Sequence, residues 1–341
     1  MNSPSAAARL AAAALLALSF AGCGPLRELI APTAPAMTGE WAALLEELRA
    51  YERSIGFEPT ANFTGAGKDQ ASFHYCGRVS QQLLPWSYED PAIAWSTAAS
   101  ESECRAGAAA DDDIYFRTLE AQGESETPVT SAMLAGKLDR FVYLVIHEDC
   151  HDQFALPYGV EEALCDFLTH QAMSAFAEQK YPAGSRERRS IRRYAETQGV
   201  LALATIEWYS RVETLYARRQ RGEINAELLL RERASLFEAA EKPLGFGHGE
   251  LNNISLASNM TYSRYYPQIG DAYAMHGRDL ARTVAFFRRL DAAKPAAAAA
   301  VQKKLGIEDA RSIESLRAYE DAVMATLRAA LRNSSRGADS L

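Results

Sequence analysis

The sequence predicts an α+β protein, predominantly α-helical, with a small mixed part in front and a helical body behind it. Two observations carry this. Residues 56–95 are interrupted by Gly65, Gly67, Gly77, Pro85 and Pro91 and hold aromatic clusters, as short strands and loops do. From Ser131 onward, segments of helical periodicity succeed one another with Gly or Pro between them. At 341 residues the chain can bury a sizeable core as one large domain or two small ones.

Residues 1–22 read as a secretory signal peptide. Arg9 lies in a short polar start, Leu10 to Leu18 are too short an apolar stretch to span a bilayer, and small Ala21 and Gly22 precede Cys23. The end of this segment, LSFAGC, resembles a bacterial lipoprotein lipobox, with Phe20 where leucine is usual. The resemblance implies that Cys23 is the lipidated start of the mature chain, anchored to a membrane it does not span. Gly24 follows it, rather than the aspartate of inner-membrane retention, so the expected place is the bacterial cell envelope, facing the periplasm, with the outer membrane slightly preferred.

Residues 23–40, rich in Pro and Ala, are expected to form the tether from that anchor. The N-terminal mixed α/β part, 41–130, opens with an amphipathic helix at 41–55 whose Leu44, Leu45, Leu48 and Tyr51 share a face. A strand is expected at Ile114 to Leu119. The helical body is 131–332, with helices at about 131–154, 158–180, 186–221, 223–241, 250–275, 277–292, 295–305 and 309–332. Pro157, Pro182, Gly184, Gly222, Pro243, Gly245 and Gly277 separate them. Residues 333–341 are expected to be a disordered tail.

A formal net charge of −8 argues against a nucleic-acid surface, which needs a basic stripe. The arginines clustered at 186–193 and 218–221 read as solvated helix faces. Beyond Cys23 remain Cys76, Cys104, Cys150 and Cys165, an even number that permits two disulfides in an oxidising compartment. Nearness in sequence favours Cys76 with Cys104 and Cys150 with Cys165.

The chemistry is concentrated in FVYLVIHEDCHDQFALPYGVEEALCDFLTH, residues 141–170. His147 and His151 are four apart on a predicted helix, so both imidazoles project from one face and reach a single ion. This is the HExxH spacing, His-Glu-x-x-His, of Zn2+ sites, in which Glu148 can approach the reacting water as a general base without binding the metal. The apolar run Phe141 to Ile146 buries that helix, and buried polar groups need partners. A third ligand is expected from the next helix, which starts after the break at Pro157, Tyr158 and Gly159. Adjacent Glu161 and Glu162 diverge by about 100°. Asp166, four after Glu162, favours Glu162 as the ligand, because Asp166 can then accept the other N–H of a ligating histidine.

Residues 159–166, GVEEALCD, resemble the second ligand helix of the gluzincin metallopeptidases, the thermolysin-like clan, with its Asn-Glu-Ala-x-x-Asp pattern. The resemblance implies a zincin-like metallopeptidase core, zinc held by His147, His151 and Glu162, and Asp166 orienting a histidine. Position 161 is Glu where the clan often has Asn. The chain is closer still to a bacterial lipoprotein family of predicted zinc aminopeptidases. That likeness is carried by the lipoprotein start, by the helix around Leu215-Tyr216 and by residues 251–290, with Asn252, Asn253 and Tyr262 at matching positions. Asp149-Cys150 inside the motif departs from that family.

The implied function is zinc-dependent hydrolysis of a peptide substrate at the cell envelope, the expected partners being the peptide and the membrane, with no nucleic acid. Tyr262 is the candidate donor to the oxyanion, with His248 and Tyr265 behind it. Asn252 and Asn253 read as capping or packing residues, and His74, His170 and His276 as structural. An endopeptidase would use the same site. The alternative of another class is a non-catalytic, zinc-stabilised envelope scaffold, which closed coordination by Cys150 or Cys165 would favour and Glu148 disfavours.

Overall fold

In the computed structural model the expected first helix forms as α1 (Glu40–Ser54) and buries Leu44, Leu45, Leu48 and Tyr51. The structure describes residues 39–65, 73–121, 126–294, 298–309 and 311–338. The signal peptide, Cys23 and nearly all of the tether lie outside them. The Gly- and Pro-broken segment then supplies β1 (Phe73–Ser80) and β2 (Ala94–Ser96). A short helix, α2 (Glu101–Ala106), precedes β3 (Asp112–Leu119). These make a three-stranded antiparallel sheet in the order β2-β1-β3, with Cys76 opposite Ser96 on one side and Phe116 on the other. Helix α2 was not anticipated; Ser100 caps it by accepting the Glu103 N–H. Its Cys104 forms a disulfide with Cys76.

The body continues with α3 (Ser131–Ala135), α4 (Leu138–His151), α5 (Tyr158–Lys180), α6 (Arg186–Gln220) and α7 (Ala226–Glu241). It ends with α8 (Asn253–Ser263), α9 (Tyr266–Met275), α10 (Leu280–Ala293), α11 (Ala298–Leu305) and α12 (Ile313–Ala338). Two expected helices are each divided. Gly136 ends α3 in extended backbone, so 131–154 is not one helix. Pro267 starts α9 within its first two positions, so 250–275 is split at Arg264 and Tyr265. The last helix continues past residue 332 to Ala338. Among the described residues no helix is long and apolar enough to cross a membrane.

The architecture is thus predominantly helical with one small sheet. Helices α4 and α5 sit at its centre, in contact with each other and with α6. Residues Phe141 to Ile146 are all buried, so this stretch of α4 is enclosed on every side. Helices α4 and α5 run antiparallel: His151 meets Glu161, His147 meets Glu162 and Asp166, and the Tyr143 ring stacks on His170. Cys150 and Cys165 close the same seam with a disulfide. Helix α8 joins the sheet to this core, Asn252 Nδ2 donating to Ile114 O at 2.7 Å and the Asn253 N–H to Asp113 Oδ2 at 2.8 Å. Asn252 also caps α8 reciprocally with Ser255. Both asparagines therefore serve the fold, as their sequence context suggests.

Cys150 and Cys165 are 15 residues apart. Replacing both by alanine is expected to lower the unfolding free energy by about 3 kcal/mol, the loop-closure entropy of such a cross-link. Denaturant unfolding with the m value held constant measures it; an unchanged midpoint would mean that packing alone holds the seam.

Candidate metal centre

His147 and His151 lie on one face of α4, and their Nε2 atoms are 3.3 Å apart. Glu162, in the first turns of α5, brings Oε2 to 3.3 Å from His147 Nε2 and 3.5 Å from His151 Nε2. These three atoms form a nearly regular triangle. A tetrahedral ion with bonds of ~2.0–2.1 Å sets its ligand atoms about 3.3–3.4 Å apart, so the triangle has the dimensions of one tetrahedral face. Glu162 is only 4% exposed, and its Oε2 has no hydrogen bond. A buried carboxylate oxygen without a hydrogen bond is costly unless a cation satisfies it. His147, His151 and Glu162 could therefore hold a metal ion. They are the three residues that the sequence brought forward.

Each imidazole has a carboxylate at its other nitrogen. Glu161 Oε1 lies 3.0 Å from His151 Nδ1, while its Oε2 accepts the Leu156 N–H at 3.0 Å. Asp166 Oδ1 lies 3.5 Å from His147 Nδ1, close enough to act on the ring by charge, while that nitrogen makes no hydrogen bond. Asp166 is itself held by the Tyr143 hydroxyl, which donates to it at 2.6 Å, and the Tyr143 ring stacks on His147. Adjacent glutamates thus serve different histidines: Glu162 faces the cluster and Glu161 orients His151 from behind. Burial pushes the Glu162 carboxyl up, but His151 and His147 outweigh it and hold the group below the ordinary carboxylate range. Burial pushes His151 down, yet Glu162 and Glu161 keep it well above its usual value.

The cluster opens on a cavity of about 280 Å³, lined also by Glu148, Tyr158, Tyr262, Arg117 and Arg140. Glu148 is 8% exposed. Burial, then Glu162, pushes the Tyr262 phenol up, so its hydroxyl stays protonated and able to donate. Its ring centroid is 6.1 Å from that of His147. His248, by contrast, is 89% exposed beside Glu241, and the Tyr265 hydroxyl donates to Glu320 at 2.8 Å; neither lines the cavity. The remaining histidines have structural surroundings: His74 contacts Thr118, His170 Nδ1 lies 3.1 Å from the Tyr266 hydroxyl, and His276 packs on Phe286. Cys23 is outside the described residues.

Five groups at the site were not singled out from sequence: Glu161 as partner of His151, and Tyr143, Tyr158, Arg117 and Arg140. Tyr143 carried a signal, since it precedes His147 by four residues and so shares its helix face. Arg117 comes from β3 and carried none. Cys150 and Cys165, being joined to each other, have no thiolate to offer a metal.

A family model described as "Putative aminopeptidase" matches residues 97–301, which is 205 of the 341 residues. No curated protein and no solved structure matches the chain.

Removing either rear carboxylate, by Glu161→Gln or Asp166→Asn, is expected to weaken metal binding by about 10- to 100-fold. Competition against a chelator of known affinity reads this directly; affinities equal to that of the unsubstituted protein would show that the two acids do not orient the rings.

Proposed function

The chain belongs to this aminopeptidase family, and from that premise we propose that it is a zinc-dependent, gluzincin-like peptide hydrolase of the bacterial cell envelope, aminopeptidase-like in action. The single observation that carries the reading is the triangle of His147, His151 and Glu162 opening on a cavity lined by Glu148. Two imidazoles and one carboxylate leave a coordination position open, the donor set of catalytic rather than structural zinc. It also supports a zincin-like core. Zinc, when bound, supplies Lewis-acid activation of water and of the scissile carbonyl.

The chain's own groups do the rest. Glu148 accepts the proton of the attacking water and returns it to the departing amine nitrogen. The Tyr262 hydroxyl donates to the carbonyl oxygen as negative charge develops there. Glu161 and Asp166 hold the two rings in place. Against the scaffold alternative stands the Cys150–Cys165 disulfide, which removes the thiolates that could have closed the coordination shell.

Envelope location and lipidation at Cys23 belong to the same proposal. Their support is the lipobox-like LSFAGC sequence and two disulfides, which persist in oxidising compartments. Protein produced with its leader in a bacterial host is expected to carry a lipid on Cys23, read by mass spectrometry of the N-terminal peptide; an unmodified thiol there rejects the anchor and leaves the metal site untouched.

Metal analysis and peptide hydrolysis of the chain lacking residues 1–23 test the activity. Glu148→Gln is expected to retain zinc and to lose about 10²- to 10⁴-fold in rate. Tyr262→Phe is expected to lower kcat by about 10²- to 10³-fold with little change in KM. Zinc bound without hydrolysis by any of these proteins would return the scaffold reading to favour.

A further inference from the structure

Arg117 is the one cationic side chain at the cavity wall, among the described residues, that is not matched to a carboxylate. Arg140 is matched: its Nε donates to Glu120 Oε2 at 2.6 Å and its Nη1 to the Tyr194 hydroxyl at 3.0 Å. Arg117 has instead a long contact of 3.5 Å from Nη1 to Ser258 Oγ and a hydrogen bond to the Tyr262 hydroxyl. A guanidinium carries five N–H donors in a planar fork whose natural complement is a carboxylate. The carboxylates of the cavity are already engaged: Glu162 with the histidines, Glu120 with Arg140, and Glu148 in the role of base. Glu162 acts on Arg117 electrostatically but forms no ion pair with it, so the fork suits an anionic group from outside.

Position agrees with charge. The Arg117 guanidinium carbon is 5.7 Å from the centroid of the Tyr262 ring, and that centroid is 6.1 Å from that of His147. The same tyrosine ring therefore neighbours both Arg117 and His147. A residue of extended chain spans ~3.3–3.6 Å, so one or two residues beyond the scissile bond bring a chain terminus to Arg117. The cavity, at about 280 Å³, falls just below the ~300–1,000 Å³ of small-molecule sites.

Resting on the peptidase reading, we infer that Arg117 binds the free C-terminal carboxylate of the substrate, so that the preferred substrates are dipeptides and tripeptides. The fork of Arg117 takes the two carboxylate oxygens while the scissile carbonyl lies at the His147, His151 and Glu162 cluster. Selection is thereby made at the C-terminal end of the peptide. A family whose description names the amino end would in this member measure the distance to the carboxyl end.

The test compares alanyl-leucine with alanyl-leucine amide. Hydrolysis is followed with the zinc-loaded chain lacking residues 1–23, and binding by calorimetry with its Glu148→Gln variant. The free acid is expected to be preferred by about 10- to 100-fold in both measurements. Arg117→Gln is expected to bring that ratio toward unity, and Arg117→Lys, which keeps charge but loses the fork, to retain part of it. Equal hydrolysis of acid and amide overturns the inference and leaves the peptidase standing. Discrimination in binding with no hydrolysis keeps Arg117 as the carboxylate site and overturns the peptidase. Neither binding nor hydrolysis of either peptide overturns both. Should the Arg117 variants fail to fold, the acid-to-amide ratio of the unsubstituted protein decides alone; a preference that survives in a folded Arg117→Gln protein overturns the inference.

Discussion

The antiparallel seam between α4 and α5 is the constraint on which the site depends. A metal cluster drawn from two helices needs both their spacing and their register to be held within a fraction of an ångström. Three features of the chain do so. The turn at residues 152–157 is short, with Pro157 at its end, so the second helix must return beside the first. The buried run Phe141 to Ile146 seats α4 in the core. The Cys150–Cys165 disulfide lies three residues along from His147 on one helix and from Glu162 on the other, so it locks the register at the level of the cluster.

Charge follows from that register. Five titratable side chains, His147, His151, Glu161, Glu162 and Asp166, meet within the seam. In a low-dielectric interior such a group is tolerated only when each member faces an opposite or satisfying partner. Here Glu162 has both rings in front of it, and each ring has an acid behind it. Glu162 Oε2, which faces both rings, has no hydrogen bond, and a cation held by the three groups would satisfy it. Consecutive acidic positions would repel if both faced inward. The 100° turn between them sends one to the cluster and the other to the rear of His151.

Much of this was legible because it is local. The i,i+4 spacing of His147 and His151 is a property of any helix, and a short Pro-Gly turn after it nearly obliges the next helix to return. Glu162 over Glu161 could be argued from Asp166 one turn on, and sequence nearness identified both disulfide pairs. Groups contributed from afar were not legible. Arg117 enters from a strand whose register against β1 is set by the hairpin-like sheet, and Tyr158 and Tyr262 converge on Glu162 only when α5 and α8 are packed. The divided helices failed for a different reason. Gly136 and Pro267 sit in sequence that keeps helical periodicity on either side, so a period alone does not show the break.

The segment that matches the family stops short of two residues that shape its site. Trp86 precedes it and Glu320, on α12, follows it. Glu320 accepts hydrogen bonds from Trp86 Nε1 at 3.3 Å and from the Tyr265 hydroxyl at 2.8 Å, and its other oxygen presses on Gly159 so closely that a Cβ there would overlap it. Gly159 belongs to the first turn of α5, two residues before Glu161 and three before Glu162. Burial pushes the Glu320 carboxyl up, and the hydrogen bonds from Tyr265 and Trp86 offset part of that. The C-terminal helix and the loop before β2 therefore brace the turn from which both glutamates project. The geometry of the candidate site is a property of the assembled chain, and the helix that carries His147 and His151 supplies only its first half.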